Sequence, residues 1–330
     1  MVSFVWAAGT PMLAGTGGSE TFTAGHAREL IRRGIKTQIV TIGHGKQDGR
    51  QDFPDIPFLS LKSPEEISEL PGKVVFVNKP YLVPTKQKSA VILHCVTPDM
   101  DEQPEYADRI RNKTIITTSI YSGQQWALYL NIPYSRIHII LPFADPIFGS
   151  VKRSVALKKR IVFAGRLHPD KGIYTLLETM HKLKTYKSTQ TVTIVAAGLH
   201  VETGATIKRM LEDYPYAQLI SAQKSIGAMA HVLSANDILL MPSVYAEPFG
   251  MLSVEAQHAG CRVVASNIGG LPETNCGLLT LVAPRNPDAL VIGIKQALAL
   301  GSATKKERET AKSYFTLKNS VDSLMQLLHL

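Results

Sequence analysis

Cysteine is scarce in this chain. Cys95, Cys261 and Cys276 are the three among 330 residues, and no two form a Cys-x-x-Cys pair. Neither a disulfide framework nor a zinc site is expected from such spacing. Long apolar runs are also lacking: no uninterrupted stretch approaches the ~18–20 residues that span a bilayer. The N-terminal MVSFVWAAGTPM has no positive charge ahead of its short apolar run. It reads as a first buried strand rather than a signal peptide. A cytoplasmic location is therefore the default expectation, with contact at the inner face of a membrane left open. Low-complexity tracts and repeats of about 20–50 residues are absent as well. So are RNA-recognition aromatic motifs, zinc fingers and basic arms, and no nucleic-acid partner is expected.

What is present is ordinary globular chemistry. Hydrophobic residues make up 45% and charged residues 19%, a balance that excludes disorder as the main state. The length suits two domains of roughly 100–200 residues each. The net charge of +9 is unevenly placed. Residues 1–150 hold 15 Lys and Arg against 14 Asp and Glu, and residues 151–330 hold 21 against 13. An anionic ligand or membrane surface would account for a basic second half, and so would nucleic acid, the weakest of the three.

Both halves alternate strand-like and helix-like segments. In the first, Ser3–Ala8, Thr37–Ile42, Lys73–Asn78, Ala90–Val96 and Thr114–Ser119 read as strands, and Glu20–Arg33 as a helix stopped at Gly34. In the second, strands are expected at Arg160–Ala164, Thr191–Ala197, Ile238–Pro242, Arg262–Ser266 and Leu278–Ala283. Helices fit Gly172–Lys184, Ile207–Tyr214, Gly250–Ala259 and Pro287–Leu300. This alternation predicts an α/β chain of two successive doubly wound, Rossmann-like domains with parallel sheets. The expected domains are 1–148 and 149–312. A helix in 313–330, with Val321, Leu324, Met325 and Leu328 on one stripe, is expected to pack back across the domains.

Three stretches could carry chemistry. In Glu247-Pro-Phe-Gly-Met-Leu-Ser-Val-Glu255, Glu247 stands just after a strand, where open α/β sheets place ligands. Glu255 is expected about two helical turns in, roughly 10 Å away. That is too far for two carboxylates to share a proton, but suits gripping two parts of one long ligand. The helix start at Phe249, Gly250, Met251 and Leu252 offers backbone N–H groups to an anion between them. The same residues could equally be a solvated carboxylate pair around a helix start. In Gly165-Arg-Leu-His-Pro-Asp-Lys-Gly172, Arg166 and Lys171 supply a donor fork and a compact charge, a combination that suits a diphosphate. An ordinary basic turn is the plainer reading. In Ser266–Glu273, the adjacent Gly269 and Gly270 let backbone approach a ligand closely, or simply make a turn.

These stretches, in this order, resemble the C-terminal domain of retaining glycosyltransferases of family four, which have the GT-B fold. The resemblance is carried by GRLHPDKG, by NDILLMPSVYAEPFGMLSVEAQHAGCRVVASNIGGLPE with its Glu-x7-Glu, and by GLLTLVAP. It covers about 160–300. Before that, Gly15-Thr-Gly17-Gly18-Ser-Glu20 resembles the family's N-terminal Gly-Gly-x-Glu loop, and Leu93-His94-Cys95 its acceptor-side histidine. Two departures are evident. Ile35 stands where the family often has His, and Pro-Phe-Ala replaces the usual Asn-Gly ahead of Asp145.

The resemblance implies two domains facing a cleft and a retaining transfer from a nucleoside diphosphate sugar. UDP is the preferred base and GDP-mannose the next. The acceptor would be a hydroxyl of a glycan, lipid-linked or small-molecule partner. It implies that Arg166 and Lys171, with N–H groups of Gly17, Gly18 and the Phe249–Leu252 helix start, hold the diphosphate in place of a metal or cofactor. Glu255 would take the ribose hydroxyls, Glu247 the transferred sugar, and His94 the sugar or acceptor. Gly269 and Gly270 would complete the donor site. Oligomeric state is open. Two alternatives stand beside this one: a non-catalytic sugar-nucleotide-binding subunit of a transferase complex, and a sugar-nucleotide epimerase on the same fold.

Two further motifs are weaker. Gly15-x-Gly17 opens a dinucleotide fingerprint, but Glu20 takes the third glycine position, and Thr41-Ile-Gly-His44 offers no acid for a ribose. Asp99-Met-Asp101 could hold a divalent metal in another glycosyltransferase fold. Here its acidic, Pro-flanked setting reads as a solvated loop.

Overall fold

The computed structural model describes residues 1–7, 17–44, 53–153, 160–184, 191–196, 201–214, 216–223 and 225–330. The chain divides into two compact units. The first is Met1–Phe143 with Leu317–Leu330, and the second is Ala144–Thr316.

The first unit is built on β1 (Val2–Val5), β2 (Thr37–Ile42), β3 (Phe58–Leu61), β4 (Lys73–Val77), β5 (Ala90–Leu93), β6 (Thr114–Thr117) and β7 (Ile137–Ile139). Its helices are α1 (Gly18–Arg32), α2 (Gln103–Ile110) and α3 (Ile120–Leu130). The second unit opens with the short α4 (Pro146–Ser150) and has strands β8 (Arg160–Gly165), β9 (Thr191–Ala196), β10 (Ala217–Ser221), β11 (Ile238–Met241), β12 (Arg262–Ser266) and β13 (Leu279–Val282). Its further helices are α5 (Ile173–Lys184), α6 (Val201–Glu212), α7 (Ile226–Ser234), α8 (Met251–His258), α9 (Pro287–Ala299) and α10 (Lys305–Lys312). The chain then returns to the first unit as α11 (Leu317–Leu328).

Among the described residues, the strands run β3-β2-β1-β4-β5-β6-β7 in one sheet and β10-β9-β8-β11-β12-β13 in the other. Every pairing is parallel. Runs such as residues 74–77 in β4 and Ile238–Met241 in β11 are apolar along their whole length because both faces of a parallel sheet are covered. In the first unit one face packs on Phe22, Ala27 and Leu30 of α1 and on Val321, Leu324 and Leu328 of α11. The other face packs on Tyr106 of α2 and on Trp126 and Leu130 of α3. The stripe foreseen in the tail is thus a core face of the first unit, and Arg33 fastens it through Asp322 at 2.5 Å. In the second unit α4, α7 and α8 cover one face and α5 and α9 the other.

The doubly wound pattern expected from the sequence is present in both units. Elements not foreseen are β3, β7, β10, α2, α3, α4, α7 and α10. Among the described residues, no helix is long and apolar enough to cross a membrane.

Candidate functional site

In the second sheet the strand order reverses between β8 and β11. That is the place where open parallel sheets leave a crevice at the carboxyl ends of their strands. Two of the sequence's stretches are the loops leaving those two strands. The loop after β8 buries Leu167 as an anchor and leaves Arg166 exposed. It then tightens into a 3-10 turn at Pro169–Lys171, where the His168 ring accepts from the Asp170 N–H at 3.3 Å. Gly172 ends the turn at φ +74°, and a Cβ there would stand 1.8 Å from the Pro242 carbonyl oxygen. Only glycine permits that approach. The Val244 N–H donates to the Asp170 carbonyl at 2.8 Å, so the two loops are stitched together.

This stitching brings Lys171 to Glu247. The Lys171 Nζ lies 3.0 Å from Glu247 Oε1 and donates to the Tyr245 hydroxyl at 3.0 Å. The same ammonium stands 4.9 Å from the Tyr245 ring centroid, within cation–π range. Glu247 is 6% exposed, and its Oε1 also accepts from the Ser243 hydroxyl. Burial opposes the charge on Lys171, but Glu247 and Tyr245 outweigh it, and the lysine pKa is raised. The Tyr245 phenol is pushed up by burial and then by Glu247, with Lys171 and Arg166 pulling the other way. A buried carboxylate is costly unless paired and hydrogen-bonded, and here it is both.

The third stretch supports this loop from behind. The Gly270 N–H donates to the Glu247 carbonyl at 2.7 Å. A Cβ on Gly269, whose φ is +61°, would lie 2.5 Å from that carbonyl oxygen, and one on Gly270 would lie 2.3 Å from the Pro248 carbonyl oxygen. The glycine pair was read as room for a ligand. In the structure the chain that comes this close to it is the protein's own loop at Ala246–Phe249.

Gly250, at φ +114°, then turns the chain into α8, and no side chain caps that helix. Phe249 is buried edge-on against Phe315, with centroids 5.4 Å apart. Met251 and Leu252 form the first turn, half-buried, so their N–H groups belong to the uncapped end. Glu255 is four residues into α8, little more than one turn and about 6 Å along the axis, and not the two turns expected. Glu255 is half-buried. Burial, and then Asp145, push its carboxyl up to about 8.

What holds α8 in place was not read from the sequence. Gln257 is fully buried and donates through Nε2 to the Thr274 carbonyl at 2.8 Å. Its Oε1 accepts from the Cys276 N–H at 2.8 Å and the Leu278 N–H at 3.2 Å. The available signal was a polar residue three positions after the buried Val254, on the same helix face. Ser243 and Tyr245 were also missed as partners, although both lie just ahead of Glu247 in the segment that carries the resemblance.

His94 follows β5 in the first unit. Its N–H donates to the Asn78 side chain at 2.9 Å, and its ring meets the edge of Phe22 at 4.7 Å. Its Nε2 is buried without a hydrogen-bond partner. Burial, and then the charge of His26, lower its pKa to about 3. His26 itself is buried and stacked on Phe22 at 3.9 Å, with Nδ1 2.9 Å from the Phe22 carbonyl and Nε2 3.2 Å from Ser320 Oγ. Burial lowers its pKa to about 4.

Gly17 and Gly18 open α1 in the same unit, both exposed, again with no side-chain cap. The Glu20 carboxylate folds toward that end: a Cβ on Gly17 would lie 2.7 Å from its Oε2, which also accepts from Ser19 Oγ at 2.9 Å. Gly15 and Thr16 lie outside the described residues. Arg166, Lys171, Glu247, Phe249, Gly250, Met251, Leu252, Glu255, Gly269 and Gly270 belong to the second unit, and Gly17, Gly18 and His94 to the first. Asp99 and Asp101 are exposed, one just before and one inside the short turn Met100–Glu102, and the Asp99 carbonyl accepts from the Tyr129 hydroxyl at 3.0 Å. Among the described residues, no group of three or more His, Cys, Asp or Glu is arranged to hold a metal ion.

Residues 151–314 match the family described as "Glycosyl transferases group 1". An uncharacterised glycosyltransferase of Methanocaldococcus jannaschii is 28% identical over 217 residues, covering 59% of this chain and 53% of that protein. The lipopolysaccharide 1,2-N-acetylglucosaminetransferase of Salmonella typhimurium is 31% identical over 185 residues, covering 50% of this chain and 46% of its own length. The chain thus spans about half the length of the curated relatives it matches. Among solved structures, the Anabaena protein HepE in complex with UDP and glucose aligns with a TM-score of 0.77 at 16% identity, over 99% of each chain. The fold of this chain is that of the GT-B glycosyltransferases.

Proposed function

Residues 151–314 belong to the group 1 glycosyltransferases, and from that premise we propose that this protein is a retaining glycosyltransferase using a nucleoside diphosphate sugar without a metal. The observation that carries the reading is the triad of Lys171, Tyr245 and Glu247 between the loops of β8 and β11. The donor is a UDP-sugar, a choice favoured by the UDP and glucose bound to HepE. The acceptor is a hydroxyl of a glycan, lipid-linked or small-molecule partner, in keeping with the lipopolysaccharide named for the Salmonella relative.

As the bond from the anomeric carbon to the phosphate oxygen breaks, negative charge grows on the diphosphate and positive charge on the sugar ring. Arg166 and Lys171 stabilise the first, aided by the uncapped N-terminus of α8. Glu247 meets the sugar hydroxyls. Its carboxylate is already engaged by Lys171 and Ser243, which suits positioning better than nucleophilic attack. The acceptor oxygen therefore bonds to the anomeric carbon on the face the phosphate leaves, and the leaving phosphate oxygen takes the acceptor's proton. Glu255, uncharged below about pH 8, can both donate to and accept from the ribose hydroxyls. His94 serves the sugar or acceptor as a neutral imidazole.

The test is thermal melting with UDP, GDP, ADP or NAD, each with a chelator. Ligand at about 100 times its dissociation constant adds roughly 2.7 kcal/mol. A rise with UDP alone is expected. A rise with NAD alone overturns the reading, and so does a UDP shift that needs manganese.

A further inference from the structure

The first unit carries a concave surface between the β4–β5 connection and the end of α2. It is an open groove of about 490 Å³, walled by Leu82, Val83 and Pro84 on one side and by Arg109, Asn112 and Lys113 at the end of α2 on the other. Ser89 and Lys113 line it and directly precede β5 and β6. The groove therefore lies where those parallel strands begin, whereas His94 stands where β5 ends.

Its charges are poorly balanced. Asp108, the acid in its wall, is committed to Arg111 at 2.6 Å. Arg109 is held by Glu105 and by the Pro80 carbonyl at 3.5 Å. Lys88 and Lys113 have no carboxylate partner among the described residues, and Lys88 is exposed. Lys113 is only 8% exposed, yet its Nζ makes no hydrogen bond there. It rests 5.0 Å from the centroid of the buried Phe76 ring, which offers a quadrupole but no counter-charge. Burial accordingly lowers its pKa. The stem of Lys113 is buried while its ammonium reaches the groove without a counter-charge, and a bound anion would supply one. Two unpaired ammonium groups suit a dianion, and the apolar wall suits an organic substituent.

We propose that this groove is a binding site for a small organic phosphate monoester, with its phosphate on Lys113 and Lys88 and its organic part against Leu82, Val83 and Pro84. The site is separate from the Lys171–Glu247 constellation and does not depend on the function assigned to that constellation.

Phenyl phosphate is a suitable probe, with phenol as the uncharged control, titrated by calorimetry. Saturable binding of phenyl phosphate but not phenol is expected. It should weaken at least tenfold in Lys113→Met, which keeps an apolar stem, and several-fold in Lys88→Ala, an exposed change that leaves the core intact. Binding should survive in Lys171→Ala. No binding to the wild type overturns the proposal. So does unchanged affinity in both groove variants, and so does loss in Lys171→Ala, which would place the probe in the second unit. Phosphatidic acid in phosphatidylcholine vesicles presents the same dianion at a lipid surface. Co-sedimentation that disappears in Lys113→Met assigns the phosphate to a lipid headgroup, and its absence leaves a soluble ligand.

Discussion

Lys171 is the residue on which most depends. Its ammonium joins a buried carboxylate to a phenol, and replacing it with Met leaves Glu247 6% exposed without its counter-charge. Turnover of Lys171→Met should fall on the order of 10²–10³-fold, the size of losing one preplaced donor to a developing anion. Steady-state kinetics check this, and a rate within threefold of wild type contradicts the role. Glu255 makes a prediction of opposite sign in stability. Its folded pKa of about 8 exceeds the ordinary carboxyl value of 4.5. The unfolded chain therefore loses that proton first, and stability contributed by the neutral carboxyl falls as pH rises from about 4.5 through 8. Glu255→Gln should melt with the wild type near pH 4 and above it near pH 8.5. The histidines act in the acid range. His26 and His94 stay neutral down to about 4 and about 3, whereas an ordinary imidazole titrates at 6.5. Stability should decline below pH 6.5 as the unfolded chain takes up those protons, and urea midpoints at pH 7, 6 and 5 would show it.

Elements decide how these residues meet, and here the sequence was legible unevenly. The inner strands were legible because runs such as Leu239, Leu240 and Met241 are apolar on both faces, whereas the edge strands β3, β7 and β10 were not foreseen. Helices α3 and α7 were not. Ile226–Ser234 is apolar almost throughout, and in Ile120–Leu130 the polar Gln124 and Gln125 are adjacent rather than spaced at the helical period. Glu247 and Lys171 could be placed on neighbouring strand ends, but their 3.0 Å contact depends on Gly172 against Pro242, a meeting across 70 positions of chain. The glycine pair shows the same limit. Its need for small residues was visible, while the backbone that causes it was not. Gly269→Ala and Gly270→Ala should each cost about 1–3 kcal/mol, since the new methyl meets carbonyl oxygens at 2.5 and 2.3 Å. Gly34, at φ +82° with open space around it, isolates the backbone term, and Gly34→Ala should cost only about 1–2 kcal/mol. Urea unfolding of the three variants separates the two effects.

Across the whole molecule, one topological plan is used twice. Both sheets reverse their strand order beside the first strand of their unit. In the second unit, Arg166, Lys171 and Glu247 leave the strands on either side of that reversal. The return of α11 to the first unit closes a core face there with Val321, Leu324 and Leu328. The measurement that bears most directly on the account is donor turnover in the presence of a chelator. UDP release from UDP-glucose should be followed for wild type and Glu247→Ala, with UDP affinity measured on the same samples. The account predicts metal-free UDP release by the wild type, lost in Glu247→Ala while UDP still binds. Release that needs manganese, or that persists unchanged in Glu247→Ala, would contradict it.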